Sequence, residues 1–141
     1  MNKHERIAEL AKTFAGEGVD PRYAGYFALF NQQKFYEAHD ILEDLWLPDR
    51  HGVNGSFYKG LIQLAGAFVH LQKQRLHPSA ALFKLARTNL EKYPAHHERL
   101  AITKVQTLIS QWLLALESKN FEKNPLETDP PPRITLEAEP A

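Results

Sequence analysis

The chain has 141 residues, 43% hydrophobic and 24% charged, enough for one domain with a single unstapled core. It contains no cysteine, which excludes disulfides, thiolate zinc sites and a cysteine nucleophile. Seventeen basic and seventeen acidic residues cancel, so no global field attracts nucleic acid or an anionic membrane.

The charged opening Met1-Asn2-Lys3-His4-Glu5-Arg6 is not followed by an apolar run of the signal-peptide kind. The most apolar window, residues 60–71, is interrupted by Gln63 and His70 and is too short to span a bilayer. The expected location is therefore the cytoplasm. Ile7, Leu10, Ala11 and Phe14 at i, i+3, i+4 and i+7 predict a short amphipathic helix, stopped by Gly16 and Gly18. Asp20-Pro21 supplies a cap and a first helical position for a second helix carrying Tyr23, Tyr26, Phe27 and Phe30. That helix is expected to end near Asn31-Gln32. A third begins at Lys34 or Phe35 and stops at Pro48, close enough to its predecessor to form an antiparallel hairpin.

After a polar loop with Gly52 and Gly55, Asn54 or Ser56 is expected to cap the longest helix, which runs to about Gln74. Phe57, Leu61, Leu64, Phe68 and Leu71 cluster on it, and Tyr58, Ile62, Ala65 and Val69 extend the apolar surface most of the way round. Such a helix belongs at the centre of a fold. Gly60 and Gly66 cost about 1 kcal/mol each against alanine in helix propensity, so both predict close approach of a neighbouring helix. His77-Pro78 marks a break and a new start. Leu82, Leu85, Ala86, Leu90 and Tyr93 then line a face opposite Lys84, Arg87 and Glu91, and Pro94 ends that helix. Ala101, Val105, Leu108, Ile109, Trp112, Leu113 and Leu116 predict a last helix over residues 97–118. A faint echo links the hairpin containing Ala38 and Leu42 with the one containing Ala81 and Leu85; it is shared packing geometry rather than a repeat.

No stretch shows a β period. The expected fold is all-α, a single compact bundle of five to six helices in antiparallel hairpins. Residues 1–118 form the helical domain, and residues 119–141, with Pro125 and Pro130-Pro131-Pro132, an extended or disordered tail. Within that tail, Ile134 and Leu136 are positioned to lie across the body. An exposed aromatic among Tyr23, Tyr26 and Trp112 would mark a homodimer surface.

Chemistry concentrates in Phe35-Tyr36-Glu37-Ala38-His39-Asp40-Ile41-Leu42-Glu43-Asp44-Leu45-Trp46. On a helix, Phe35, Ala38, Ile41, Leu42, Leu45 and Trp46 fill one apolar sector. Glu37, Asp40 and Asp44 fall on the open side. His39 and Glu43, one turn apart at i and i+4, sit at the border, spaced for a hydrogen bond or for two ligands of one divalent metal ion. On the long helix Lys59, Gln63, Gly66 and His70 form the only polar strip. If that strip faces His39 and Glu43, His39, Glu43 and His70 become candidate metal ligands, His39 and Glu43 candidate catalytic groups, and Glu37, Trp46 and Gln63 pocket residues. Against this stands mutual satisfaction of polar groups at a helix interface, which fixes packing register without chemistry. Zinc-protease, di-iron, phosphate-loop and nucleophile-elbow patterns are all missing. The acids of residues 37–49 and the bases of residues 59–92 suggest opposite charges on neighbouring helices, or solvated faces.

The order Phe30-Asn31, Phe35-Tyr36-Glu37-Ala38-His39-Asp40-x-Leu42-Glu43-x-x-Trp46, then Lys59-Gly60-Leu61-Ile62-Gln63-x-Ala65 with His70, resembles the domain of unknown function 309 family over roughly residues 23–93. Asp40 stands where members have Glu, and Arg75-Leu76-His77-Pro78-Ser79-Ala80 replaces a Gly-Asn and Gly-Ala pair. The resemblance implies a compact helical fold with Glu37, His39, Glu43, Trp46, Gln63 and His70 meeting in its middle, and it supplies no activity, substrate or cofactor. The expected role is thus a structural or interaction module with a buried His/Glu/Gln cluster and an unknown protein partner or small ligand. The alternative is a hydrolase-type enzyme or metal-binding protein using His39 and Glu43 with Gln63 and His70.

Overall fold

Capping chemistry at Asn2 and Asp20 sets the first two helices, and a computed structural model describes residues 1–138. The Asn2 side chain accepts from the Glu5 N–H to start α1, Lys3–Ala11, which tightens into a 3₁₀ turn over Lys12–Phe14. Gly16 and Gly18 follow with φ of 94° and 79°, a left-handed path that stops the helix without a Cβ clash. The Asp20 carboxylate accepts from the Arg22 N–H at 2.9 Å, and Pro21 opens α2, Pro21–Asn31. Next come α3, Phe35–Trp46, then α4, Gly55–Gln72, and α5, Leu76–Leu90. After a pair of two-residue strands, β1 (His96–His97) and β2 (Leu100–Ala101), the chain forms α6, Ile102–Glu117, and the single turn α7, Pro125–Thr128. The all-α fold class and the hairpins therefore hold. No helix among the described residues is long and apolar enough to cross a membrane.

α4 is the axis. Phe57, Leu61, Leu64, Ala65, Ala67, Phe68 and Leu71 are all fully buried, and α3 and α5 pack along it on either side. Phe68 is the hub: its ring stacks on Phe35 at 4.9 Å and meets Phe30, Phe83 and Trp112 edge-on at 5.5, 5.2 and 4.9 Å. One side chain thus ties α2, α3, α5 and α6 to α4. Tyr23, Tyr26 and Trp112 belong to this core, only 2%, 0% and 7% exposed, so none of them marks a dimer surface.

Four local expectations need correction. Asn54 sits at the start of α4 without capping it; its Oδ1 pairs with His97 Nε2 at 2.7 Å, and the Tyr93 hydroxyl accepts from the Phe57 N–H at 2.9 Å instead. A residue distant in sequence performs the cap, which local pattern cannot show. The face of α5 is led by Ser79, Phe83, Ala86 and Leu90, all buried, while Leu85 is 50% exposed; the supposed echo with Leu42 fails there. α5 also begins at Leu76, so Pro78 lies in its first turn, where a missing N–H costs little. Finally, residues 96–101 are a hairpin rather than helix. Glu98 and Arg99 both take positive φ, 49° and 59°, at its turn, a conformation usually signalled by Asn-Gly. Contacts from elsewhere hold it: the Tyr23 hydroxyl donates to Glu98 O at 2.8 Å and Arg99 Nη1 donates to Glu17 O at 2.9 Å.

Two helix ends close in the same way. The Lys34 and Gln33 N–H groups reach back to Leu29 O and Phe30 O after α2, and those of Arg75 and Gln74 to His70 O and Leu71 O after α4. Gln33 and Gln74 take the left-handed position usually given to glycine. Beyond α7, residues 129–138 have no regular structure but follow the body. Asn31 donates to Ile134 O and accepts from Ile134 N–H, each at 2.8 Å, and Ile134 is buried. Arg99 and Glu137 exchange a second pair of bonds.

The close approach expected at both α4 glycines is to α5. A Cβ on Gly60 would lie 2.9 Å from Leu90 Cγ and 3.3 Å from Ala86 O, whereas one on Gly66 would meet only Leu82 Cδ1, at 3.1 Å. Gly60→Ala is therefore expected to lower stability by about 1–3 kcal/mol through overpacking. Gly66→Ala should be neutral or slightly stabilising, because better helix propensity offsets a small shift of one leucine methyl. Urea midpoints of the two variants should move apart; equal midpoints would refute the packing difference.

Candidate functional site

α3 places Asp40, Glu43 and Asp44 against side chains of α1 and α2. Lys3 Nζ lies 3.3 Å from Asp40 and 3.5 Å from Glu43. Asp44, its side chain 12% exposed, receives Arg22 Nη1 at 2.9 Å and His4 Nδ1 at 2.7 Å. Burial acts to raise the Asp44 pKa, but the hydrogen bonds from His4 and Arg22 outweigh it and hold the carboxyl below its ordinary range. Asp40 and Asp44, expected on the open side, are thus covered. Their partners come from α1 and α2, rather than from the basic stretch of residues 59–92.

On the other border of α3 lies an open groove of about 240 Å³ between α3, α4 and α5. α3 contributes Tyr36 and His39; α4 contributes Lys59, Ile62, Gln63, Gly66, Val69 and His70; α5 contributes Leu82. The strip Lys59–Gln63–Gly66–His70 lines the same groove as His39, the arrangement on which the candidate pocket depends. The cluster expected to be buried instead lines a surface groove.

Individual placements differ. The Gln63 amide oxygen accepts from Asn89 Nδ2 on α5 at 2.8 Å, an anchor the sequence did not reveal. His70 Nδ1 is buried with no hydrogen-bond partner. Burial, with Arg75 and Lys73 nearby, lowers the His70 pKa and keeps its ring neutral at pH 7. His39 Nδ1 lies 3.2 Å from Asp40 and its Nε2 3.5 Å from Glu43. Glu43 is shared between His39 and Lys3, each at 3.5 Å, and does not line the groove. Trp46 borders it indirectly, its ring 4.5 Å beneath Lys59 Nζ. Glu37 is exposed and does not line the groove. The six residues that the family resemblance brings to the middle therefore do not converge at one point. Among the described residues no group of three or more His, Cys, Asp or Glu side chains is arranged to hold a metal ion, so His39, Glu43 and His70 do not form one ligand set.

His70 also gives a testable pH effect. Its folded pKa lies below the unfolded value of about 6.5, so the unfolded chain takes up the proton first as pH falls. Stability from this group is complete above that value and is lost on acidification below it. His70→Gln should flatten the decline in urea midpoint between about pH 7.5 and 5.5; parallel profiles for the two proteins would contradict it.

Searches among curated proteins and among solved structures gave no match. Residues 23–82 match the model of a family described as Domain of unknown function (DUF309). The match spans α2, α3, α4 and the first half of α5. The helices that frame the groove are therefore the part of the chain that is similar to this family.

Proposed function

We propose that this protein is a binding module, not a catalyst, and that the groove between α3, α4 and α5 is where it receives a ligand or partner. The supporting observation is the composition of that groove: an apolar floor of Ile62, Gly66, Val69 and Leu82 edged by polar side chains from α3 and α4. A concave apolar surface with a few oriented polar groups suits binding. The lining has no serine, threonine or carboxylate to serve as nucleophile or acid beside His39. The hydrolase reading of His39 and Glu43 depends on a contact of 3.5 Å in which Glu43 is shared with Lys3.

A nuclear magnetic resonance fragment screen of the full chain tests this. Fragments should shift the amide signals of His39, Gln63, Gly66 and His70, and Gly66→Leu, which fills the groove, should abolish the shifts with the fold retained. If no fragment perturbs these residues, the reading fails. It fails equally if the purified protein hydrolyses ester or phosphoester substrates and His39→Ala removes that activity without unfolding it.

A further inference from the structure

The unpaired groups of the groove share one property. Lys59 makes no ion pair among the described residues; its ammonium rests only on the Trp46 ring. A cation over an exposed ring gains about 0.5–1 kcal/mol and leaves its N–H donors available. Gln63 uses its oxygen on Asn89, so the free end of its amide is the donor NH₂. Tyr36, half-exposed at the edge, has a hydroxyl with no protein partner among the described residues. The acids able to neutralise this rim are engaged elsewhere: Asp40 and Glu43 with Lys3 as well as His39, and Asp44 with Arg22 and His4. What the groove lacks is an anionic group to pair with Lys59.

From this excess of donors above an apolar floor we infer that the groove is a site for a small amphipathic carboxylate. Its apolar body lies on Ile62, Gly66, Val69 and Leu82, and its anionic head meets Lys59 and the Gln63 amide. This rests on the binding-module reading above. One lysine and one amide, without a cluster of arginines or converging backbone N–H groups, match a monoanion better than a phosphate dianion. The volume, about 240 Å³, lies below the roughly 300 Å³ at which pockets for drug-sized ligands begin, so the ligand is small. His70 lines the end of the strip away from Lys59.

The test compares octanoate and indole-3-acetate with octanamide and indole-3-acetamide, titrated into the full chain and followed through the His39, Gln63, Gly66 and His70 amide signals. Each acid should bind at least about tenfold more tightly than its amide. Lys59→Met should abolish that preference in a protein that remains folded, and Gly66→Leu should remove binding of both. Amides binding as well as acids, or a Lys59→Met variant that retains the preference, would overturn the carboxylate assignment while the groove reading stands. If neither acid nor amide perturbs these signals, the carboxylate assignment is overturned; the fragment screen then decides the groove reading separately.

Discussion

Phe68→Ala is expected to remove about 3–5 kcal/mol of folding free energy, the largest loss from any single truncation in this core. The ring is fully buried and touches aromatic partners on α2, α3, α5 and α6, at centroid distances between 4.9 and 5.5 Å. No helix can close the resulting void alone, because each is held by the others, so the cavity persists and adds to the lost transfer energy. For a domain with total stability of about 5–15 kcal/mol, the variant should be marginal at physiological temperature. Phe68→Leu, which keeps most of the volume, separates packing from aromatic contact and should retain the larger part of the stability. Urea unfolding followed by circular dichroism reads both. A Phe68→Ala midpoint near wild type would show that the hub assigned to α4 is wrong.

Asp44→Ala is the second large effect, expected at about 2–3 kcal/mol. An exposed ion pair is worth about 0–1 kcal/mol and breaking a buried one costs about 3–5. Asp44 and Arg22, at 12% and 26% side-chain exposure, fall between these limits. The substitution leaves Arg22 with Asp20 alone and releases His4, so the loss should appear first as fraying of α1, measurable by hydrogen exchange at Ile7 and Ala11. The pH dependence follows from the sign of the shift. Asp44 has a folded pKa below its unfolded value, so its contribution is complete above about pH 4 and is lost as pH falls through the folded value. Asp44→Asn should therefore be less acid-sensitive than wild type over that interval. An acid profile unchanged by the substitution would refute the clamp.

The groove is legible in the sequence where helical spacing carries the information. His39 lies at the border of α3, and Lys59, Gln63, Gly66 and His70 share one strip of α4; the structure brings that strip opposite His39. Spacing fixes which residues share a face, but not the rotation of one helix against the next. Glu43 keeps the i,i+4 contact with His39 that spacing allows, at 3.5 Å, but Lys3 of α1 shares it at the same distance and it does not line the groove. For the same reason Asp44 looked like a surface acid until α1 and Arg22 were seen to cover it. Asn89, which orients Gln63, lies on a helix whose facing residues could not be chosen from sequence, and Leu85 was misassigned there for that reason.

By itself the sequence determined the elements whose signals are local. These are the Asp20 cap, the stop at Gly16 and Gly18, the apolar girth that centres α4, and the missing side chains that admit α5. Only tertiary structure decided the Tyr93 cap on α4, the hairpin turned by Glu98 and Arg99, and the groove's unpaired donors. Each of those depends on groups distant in the chain meeting in space. A hydrogen bond or ion pair between such groups leaves no periodic trace in the sequence, whereas burial of a helix face repeats every turn.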